Sequence, residues 1–245
     1  MNTKALNILP AFFVVLLIAG LAGCGPARER TVSDYVDIEH NILTESEIEE
    51  GWMLLFDGET TSGWRGYNQS AFPDEWEIED GTLYCPGAGG DIIYDRQFRD
   101  FHLSIDWRIS EGGNSGIFYL AQEAEGQPIW HTAPELQLLD NEAHPDLDDR
   151  QLAPALYDLV PAYPQNTRPA GEWNTVEVVL RDGHLSHFQN GVEVLHVHLG
   201  DDQWNKMVAD SKFPDDIFAQ YIPGFIGLQD HGDEVWFRNI KIREF

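Results

Sequence analysis

The sequence predicts an all-β fold, an antiparallel two-sheet β-sandwich with one or two short helices. Three observations predict it: short runs of alternating apolar and polar residues, glycine turns between those runs, and only two segments with helix-start signals. The clearest run is His102–Ser110. Leu103, Ile105, Trp107 and Ile109 fall on one face, and His102, Ser104, Asp106 and Arg108 on the other, the period-two signature of a half-buried strand. Residues 174–197 read as a three-strand meander. Its turns are Asp182-Gly183 and Asn190-Gly191, dipeptides that accept positive φ at little cost. Shorter strands are expected at 53–56, 76–79, 82–85, 91–94, 115–121, 134–139, 224–229 and 235–243.

The first helix is expected over "LTESEIEEG", Leu43–Gly51. Thr44 and Glu47 form a capping box, Leu43 and Ile48 are spaced for a hydrophobic staple, and Gly51 supplies the stop. The second follows Asp201 or Asp202, an N-cap for a short helix through Met207 and Val208.

Ahead of these elements the chain reads as a leader. Lys4 precedes the apolar run Ala11–Leu21, too short for a comfortable membrane span, and Leu21-Ala22-Gly23-Cys24 has the form of a lipobox. Residues 1–23 are therefore expected to be a lipoprotein signal peptide, with Cys24 lipidated and the protein held at the bacterial cell envelope, periplasmic or outer-membrane facing. Polar residues 24–42 read as a tether, and 43–245 as one domain. Cys85 is the one other cysteine, so no intramolecular disulfide is expected, and 12% aromatic residues with eight Trp supply the core instead. A formal net charge of −27 argues against nucleic acid as a partner, because phosphates are repelled.

Two stretches have the residue types of a site. In "PELQLLDNEAH", Glu135 and Gln137 lie two apart on a strand, share a face and stand roughly 6–7 Å apart, while Leu136 and Leu138 turn toward a core. Near the C-terminus, Gln229-Asp230-His231-Gly232-Asp233 is a polar knot between two apolar runs, either a tight turn or a site. Asp140, His144 and Asp230 offer ligands to a possible divalent metal, of Ca or Mn/Zn type, and "HPDLDDR" (144–150) offers oxygens to calcium. Trp64 and Tyr67, in a Gly-rich loop, are candidate sugar platforms. Glu-x-Gln-x-x-Asp resembles the Glu-x-Asp-x-x-Glu catalytic strand of laminarinase-type glucanases with the central acid replaced by an amide. Retaining hydrolysis needs two carboxyl groups, and Gln137 serves as neither nucleophile nor acid.

In order, "GWMLLFDGETTSGWRGY" (51–67), "WEIEDGTLYC" (76–85), "FRDFHLSIDWRISEGGNSGIFY" (98–119), "PELQLLDN" (134–141), "ALYDLVPA" (155–162), "PAGEWNTVEVV" (169–179), "FQNGVEVL" (188–195), "SKF" (211–213) and "GLQDHGDEVWFRNIKI" (227–242) resemble the 3-keto-disaccharide hydrolase domain family over about residues 45–245. The resemblance implies a concanavalin A-like jelly roll and a glycoside substrate already oxidised at C3, supplied by a separate sugar 3-oxidoreductase. It implies C2-proton abstraction, β-elimination of the C1 substituent and hydration. This chemistry needs a base, an electrophile for the enolate oxygen and a proton donor, but no carboxylate nucleophile. On motif position it points to Glu135, His231 and Arg65 as catalytic, and to Gln137, Asn114, Tyr157, His131 and Trp64 as substrate-binding. The alternatives are a non-catalytic carbohydrate-binding lipoprotein of a sugar-uptake system and a conventional glycosidase.

Overall fold

The computed structural model describes residues 39–213 and 217–245; the leader, Cys24 and the tether as far as residue 38 lie outside them. Thirteen strands build two antiparallel sheets. The larger contains β1 (Trp52–Leu54), β3 (Glu77–Glu79), β4 (Thr82–Pro86), β6 (Phe101–Ile109), β9 (Asn174–Arg181), β10 (His184–Gln189), β11 (Val192–His198) and β13 (Glu234–Glu244). Its order is β11-β10-β9-β6-β13-β4-β3, with β1 on the second half of β13. The smaller contains β2 (Trp64–Gly66), β5 (Ile92–Phe98), β7 (Asn114–Ala121), β8 (Glu135–Leu139) and β12 (Gly224–Leu228), in the order β2-β5-β12-β7-β8.

The alternation places the core between the sheets. Leu103, Ile105, Trp107 and Ile109 of β6 are buried there beside Phe237 and Val176, and meet Ile117, Tyr119, Leu136 and Leu138 of the smaller sheet. Both meander turns form with positive φ at their two central residues, Asp182 and Gly183, then Asn190 and Gly191. One polar pair crosses this core. The buried Tyr119 hydroxyl lies 2.9 Å from His187 Nε2, and His187 Nδ1 lies 3.2 Å from the Pro154 carbonyl. That carbonyl can only accept, so Nδ1 carries the proton and Nε2 accepts from Tyr119. Burial lowers the His187 pKa to about 4.

Helix α1 (Glu45–Glu49) carries the expected capping box and ends before Gly51 at φ +85°. The staple does not form: Ile48 is 61% exposed, because α1 lies on the surface. Helix α2 (Asp202–Ala209) is capped by Asp201, whose carboxylate accepts from Trp204 N at 2.7 Å. Strand β2 was not anticipated, since three residues of mixed polarity carry no readable period. The tether is shorter than expected. Asn41 is buried and exchanges two backbone-to-side-chain hydrogen bonds with Asn239 (2.7 and 2.8 Å), filling a bulge in β13, so the fold has begun by that residue.

Protonating His187 requires a charge in the core, so the neutral state contributes stability present above the ordinary histidine range and lost as pH falls from about 6.5 to about 4. A Tyr119→Phe/His187→Leu double variant removes both partners. Denaturant titrations should show it losing about 3 kcal/mol less than the wild type across that interval. Parallel stability–pH curves would refute the assignment.

Candidate active site

The smaller sheet has a second face, turned away from the core, and its register decides which side chains stand together there. In the β7–β8 ladder Gln137 is opposite Gly116 and Glu135 is opposite Phe118, and Asn114 shares their face. The β12–β13 connection, Gln229 to Asp233, rises beside this row: Gln229 N donates to Gly116 O and Ser115 Oγ donates to Gln229 O. Segment 153–157 runs along the free edge of β8, with Tyr157 N donating to Glu135 O and Gln137 N to Ala155 O. Together these segments enclose a cleft of about 230 Å³. Glu135, Gln137 and Asn114 line it with Gln229, His231 and Tyr157, and Trp130, Lys212 and Phe213 complete the wall.

Glu135 is 6% exposed, and Gly116 makes room for it: a Cβ on residue 116 would overlap the Glu135 carboxyl. Burial raises the Glu135 pKa to about 8, reinforced by the negative Asp91 and opposed by Lys212 and by a hydrogen bond from Gln229. Asp91 stands outside the cleft lining. Its carboxylate accepts from Asp230 N at 3.0 Å, and burial raises its pKa to about 6. Among the described residues, three buried amide oxygens of the cleft, Asn114 Oδ1, Gln137 Oε1 and Gln229 Oε1, accept no hydrogen bond. The cleft thus presents unsatisfied acceptors to a ligand rich in hydroxyl donors.

His231 sits exposed at the tip of its turn, with Nε2 3.4 Å from Asn114 Nδ2. The flanking acids hold this turn. Asp230 accepts from Gly90 N (2.8 Å) and Gly232 N (3.0 Å), Asp233 accepts from Asn114 N (3.0 Å), and Gly232 takes φ +99°. Lys212 Nζ lies 3.3 Å from the Tyr157 hydroxyl and 4.3 Å from the centre of its ring. An imidazole, a protonated carboxyl and an ammonium therefore border one small space.

Five residues expected from the sequence converge here: Glu135, His231, Gln137, Asn114 and Tyr157. Arg65 does not. It shares the outer face of the sheet, but β2 and β8 are opposite edges, four strand spacings or roughly 19 Å apart. Ile93, Phe118 and Ile129 fill the space between, and Glu123 and Asp95 hold the guanidinium (2.6 and 2.8 Å) and raise its pKa further. Trp64 faces the opposite way, into the core, with its indole N–H on Leu55 O. Tyr67 is buried and bonded to Gln122 O, so neither ring is a platform. Trp130, adjacent to His131, is the residue that reaches the cleft.

The expected metal ligands do not come together. Asp140 accepts from Gly112 N, and His144 Nε2 lies 3.0 Å from Gly112 O, whereas Asp230 is bonded to Gly90 and Gly232. In the 144–150 loop, Asp148 is paired with Arg150 and Asp149 accepts from the Tyr163 hydroxyl. Among the described residues no three His, Cys, Asp or Glu side chains are grouped to hold an ion. Sequence reasoning missed Lys212, Phe213, Gln229 and Trp130. The signal for Lys212 was present in "SKF": it is one of four lysines in an acidic chain, placed next to an aromatic residue.

Residues 51–243 match the family described as the 3-keto-alpha-glucoside-1,2-lyase-like domain. A protein of Bacteroides thetaiotaomicron named 3-keto-disaccharide hydrolase is 37% identical, with 94% of each chain covered. Among solved structures, a candidate glycosyl hydrolase from Parabacteroides distasonis superposes with a TM-score of 0.79 at 32% identity, covering 84% of this chain and 100% of that one. A second candidate glycosyl hydrolase from the same organism gives 0.59 at 28%, covering 80% and 84%. Fold, cleft and sequence agree: this chain belongs to the 3-keto-alpha-glucoside-1,2-lyase-like domain family.

Proposed function

We propose that the protein cleaves 3-keto-disaccharides and related 3-keto-glycosides by elimination followed by hydration. The observation that carries this reading is a sugar-sized cleft with one buried, protonatable carboxyl beside an imidazole and an ammonium, and an amide where a second acid would stand. The relative's name and the family match support the same substrate class.

In this reading His231 takes the C2 proton, which the C3 ketone acidifies. Lys212, with the Tyr157 hydroxyl, faces the ketone oxygen and stabilises the enolate. The C1–O bond breaks, and Glu135, still protonated near neutral pH, gives its proton to the departing oxygen. Water then adds to C1 of the enone. The Glu135 carboxylate accepts its proton and His231 returns a proton to C2, so both groups end as they began. Asn114, Gln137 and Gln229 meet the sugar hydroxyls with their free acceptors. The substrate must come from an enzyme class that oxidises a sugar at C3. The lipobox supports anchoring through Cys24 at the cell envelope, periplasmic or outer-membrane facing.

Aglycone release from a purified 3-keto-glucoside tests the reading. Glu135→Gln and His231→Ala should each lower kcat by about 10²- to 10⁴-fold. Lys212→Met should lower it on the order of 10²-fold. Arg65→Met should leave it near wild type. Release of product from unoxidised glycosides at equal rates would overturn the elimination mechanism, and absence of turnover on keto-sugars would overturn the substrate class.

Three further outcomes follow from the Glu135 environment. Its raised pKa makes ionisation unfavourable in the folded state, a penalty that grows from the ordinary glutamate range to about pH 8. Glu135→Gln should therefore raise stability on the order of 2–3 kcal/mol at pH 7 and have little effect below about pH 4.5, measured by denaturant titration. For the wild type, kcat should fall as pH rises through about 8; a profile flat well above that value excludes Glu135 as the acid. Gly116→Ala should push the carboxyl aside, reducing kcat at least about tenfold at a stability cost of roughly 1–3 kcal/mol. Full activity in this variant would show that the seating of Glu135 does not matter.

A further inference from the structure

The outer face of the larger sheet carries a second hollow, of about 300 Å³, bordered by Arg108 of β6, Trp236 and Arg238 of β13, Trp173 just before β9, Glu79 of β3, Asp80 of the β3–β4 turn and Thr82 of β4. The indole rings hold the guanidinium groups. Arg108 Cζ lies 4.4 Å from the centre of Trp236 and 5.0 Å from that of Trp173, and Arg238 Cζ lies 3.9 Å from Trp173. Trp236 is in turn stacked on Tyr84 at 5.0 Å, and its N–H donates to Glu79 at 2.9 Å. The ring faces are taken up in fixing the arginines, so the guanidinium edges are what remain for a ligand.

Arg108 is the unusual member. Among the described residues its buried Nε has no hydrogen-bond partner and the side chain has no ion pair. Among the described residues, every other lysine and arginine side chain has a hydrogen bond or ion pair to an oxygen. A lone guanidinium is improbable in a chain with 42 acidic and 15 basic residues. Its neighbour Arg238 reaches only Asp106, at 3.4 Å, and that carboxylate is shared with Thr175 and Asn239. Burial lowers the Arg238 pKa, the Asp106 carboxylate opposes this, and the positive Arg108 adds a smaller push downward, so the two cations face each other.

We propose that this hollow binds the carboxylate of a small molecule, with Arg108 as its principal partner and an acidic sugar as the bearer that suits indole walls. A planar guanidinium whose terminal nitrogens edge the hollow matches a carboxylate, and a compact anion relieves the repulsion between the arginines. The overall negative charge does not forbid this, since distant acids are screened within about 8 Å at physiological salt; of the two acids on the rim, Glu79 is held by the Trp236 N–H, and Asp80 is the one that opposes an anion.

Calorimetric titration of the full chain with sodium glucuronate, sodium acetate and glucose, at fixed ionic strength, tests the site. Glucuronate should bind with one-to-one stoichiometry and glucose should not. Arg108→Gln should weaken glucuronate about tenfold or more while leaving turnover of a 3-keto-glucoside unchanged. Arg108→Lys, which keeps the charge without the fork, should fall between. Glu135→Gln should bind glucuronate like the wild type, which separates this hollow from the cleft. Acetate binding as tightly as glucuronate supports the carboxylate assignment and makes the sugar ring incidental. Equal binding of glucose, undiminished binding by a folded Arg108→Gln protein, or no saturable heat from either carboxylate overturns it.

Discussion

Everything at the candidate site depends on holding one carboxyl group out of water without a cationic partner in direct contact. Glu135 projects from a strand whose opposite neighbour has glycine two positions from its partner residue, and the carboxyl lies in the space that glycine leaves. Trp130, Phe213 and Tyr157 wall the cleft, and Asp91 adds a negative charge. An ionised carboxylate in such a place is costly, and the group retains its proton into the physiological range. An ion pair to Lys212 at close range would cancel this effect. Instead the lysine is directed to the Tyr157 hydroxyl and ring and pairs with Asp158 at 3.7 Å, so it borders the cleft without an ion pair to Glu135.

The two sheets divide the work. The larger one is long, heavily paired and carries more of the aliphatic core than the smaller one, whose outer face lines the cleft. The Tyr119–His187 hydrogen bond joins them, and its far end holds the Pro154 carbonyl, three residues before Tyr157. A polar bond in a dry core is strong when every member is satisfied, and this one ties the segment that borders the cleft to the opposite layer. The cleft follows the contrary rule: three amide oxygens lack partners there, the form in which a protein stores binding capacity.

Much of this was legible in the sequence, for physical reasons that differ by residue. Period-two alternation located β6, and the two Asx-Gly turns located the β9–β11 meander, because both are local properties. The capping box was correct for the same reason. The Glu135–Gln137 row could be assigned to one face from spacing alone, and the polar knot at 229–233 forms a turn that borders the cleft: its acids hold the backbone and its histidine lines the cavity. Arg65 was misjudged because strand order is not local. No pattern within "GWRGY" reveals that β2 and β8 are opposite edges. His131 and Trp130 are adjacent, and the tight turn at Ile129–His131, which decides between them, leaves little periodic signal. The metal ligands failed for a third reason: each acid was already bonded to nearby backbone, a competition that composition does not show.

The position of the last two strands has a consequence for how the molecule comes into being. β12 lies between β5 and β7, and β13 between β6 and β4, so each sheet is split down its middle until the final segment arrives. His231 sits on the link that passes from one to the other. A chain emerging from the ribosome can form the β9–β11 meander early, but neither layer can close and no cleft can exist before the C-terminal strands are inserted. Folding of this kind is dominated by distant pairings and is slow. The cleft is therefore completed last and all at once, when the two C-terminal strands enter both sheets.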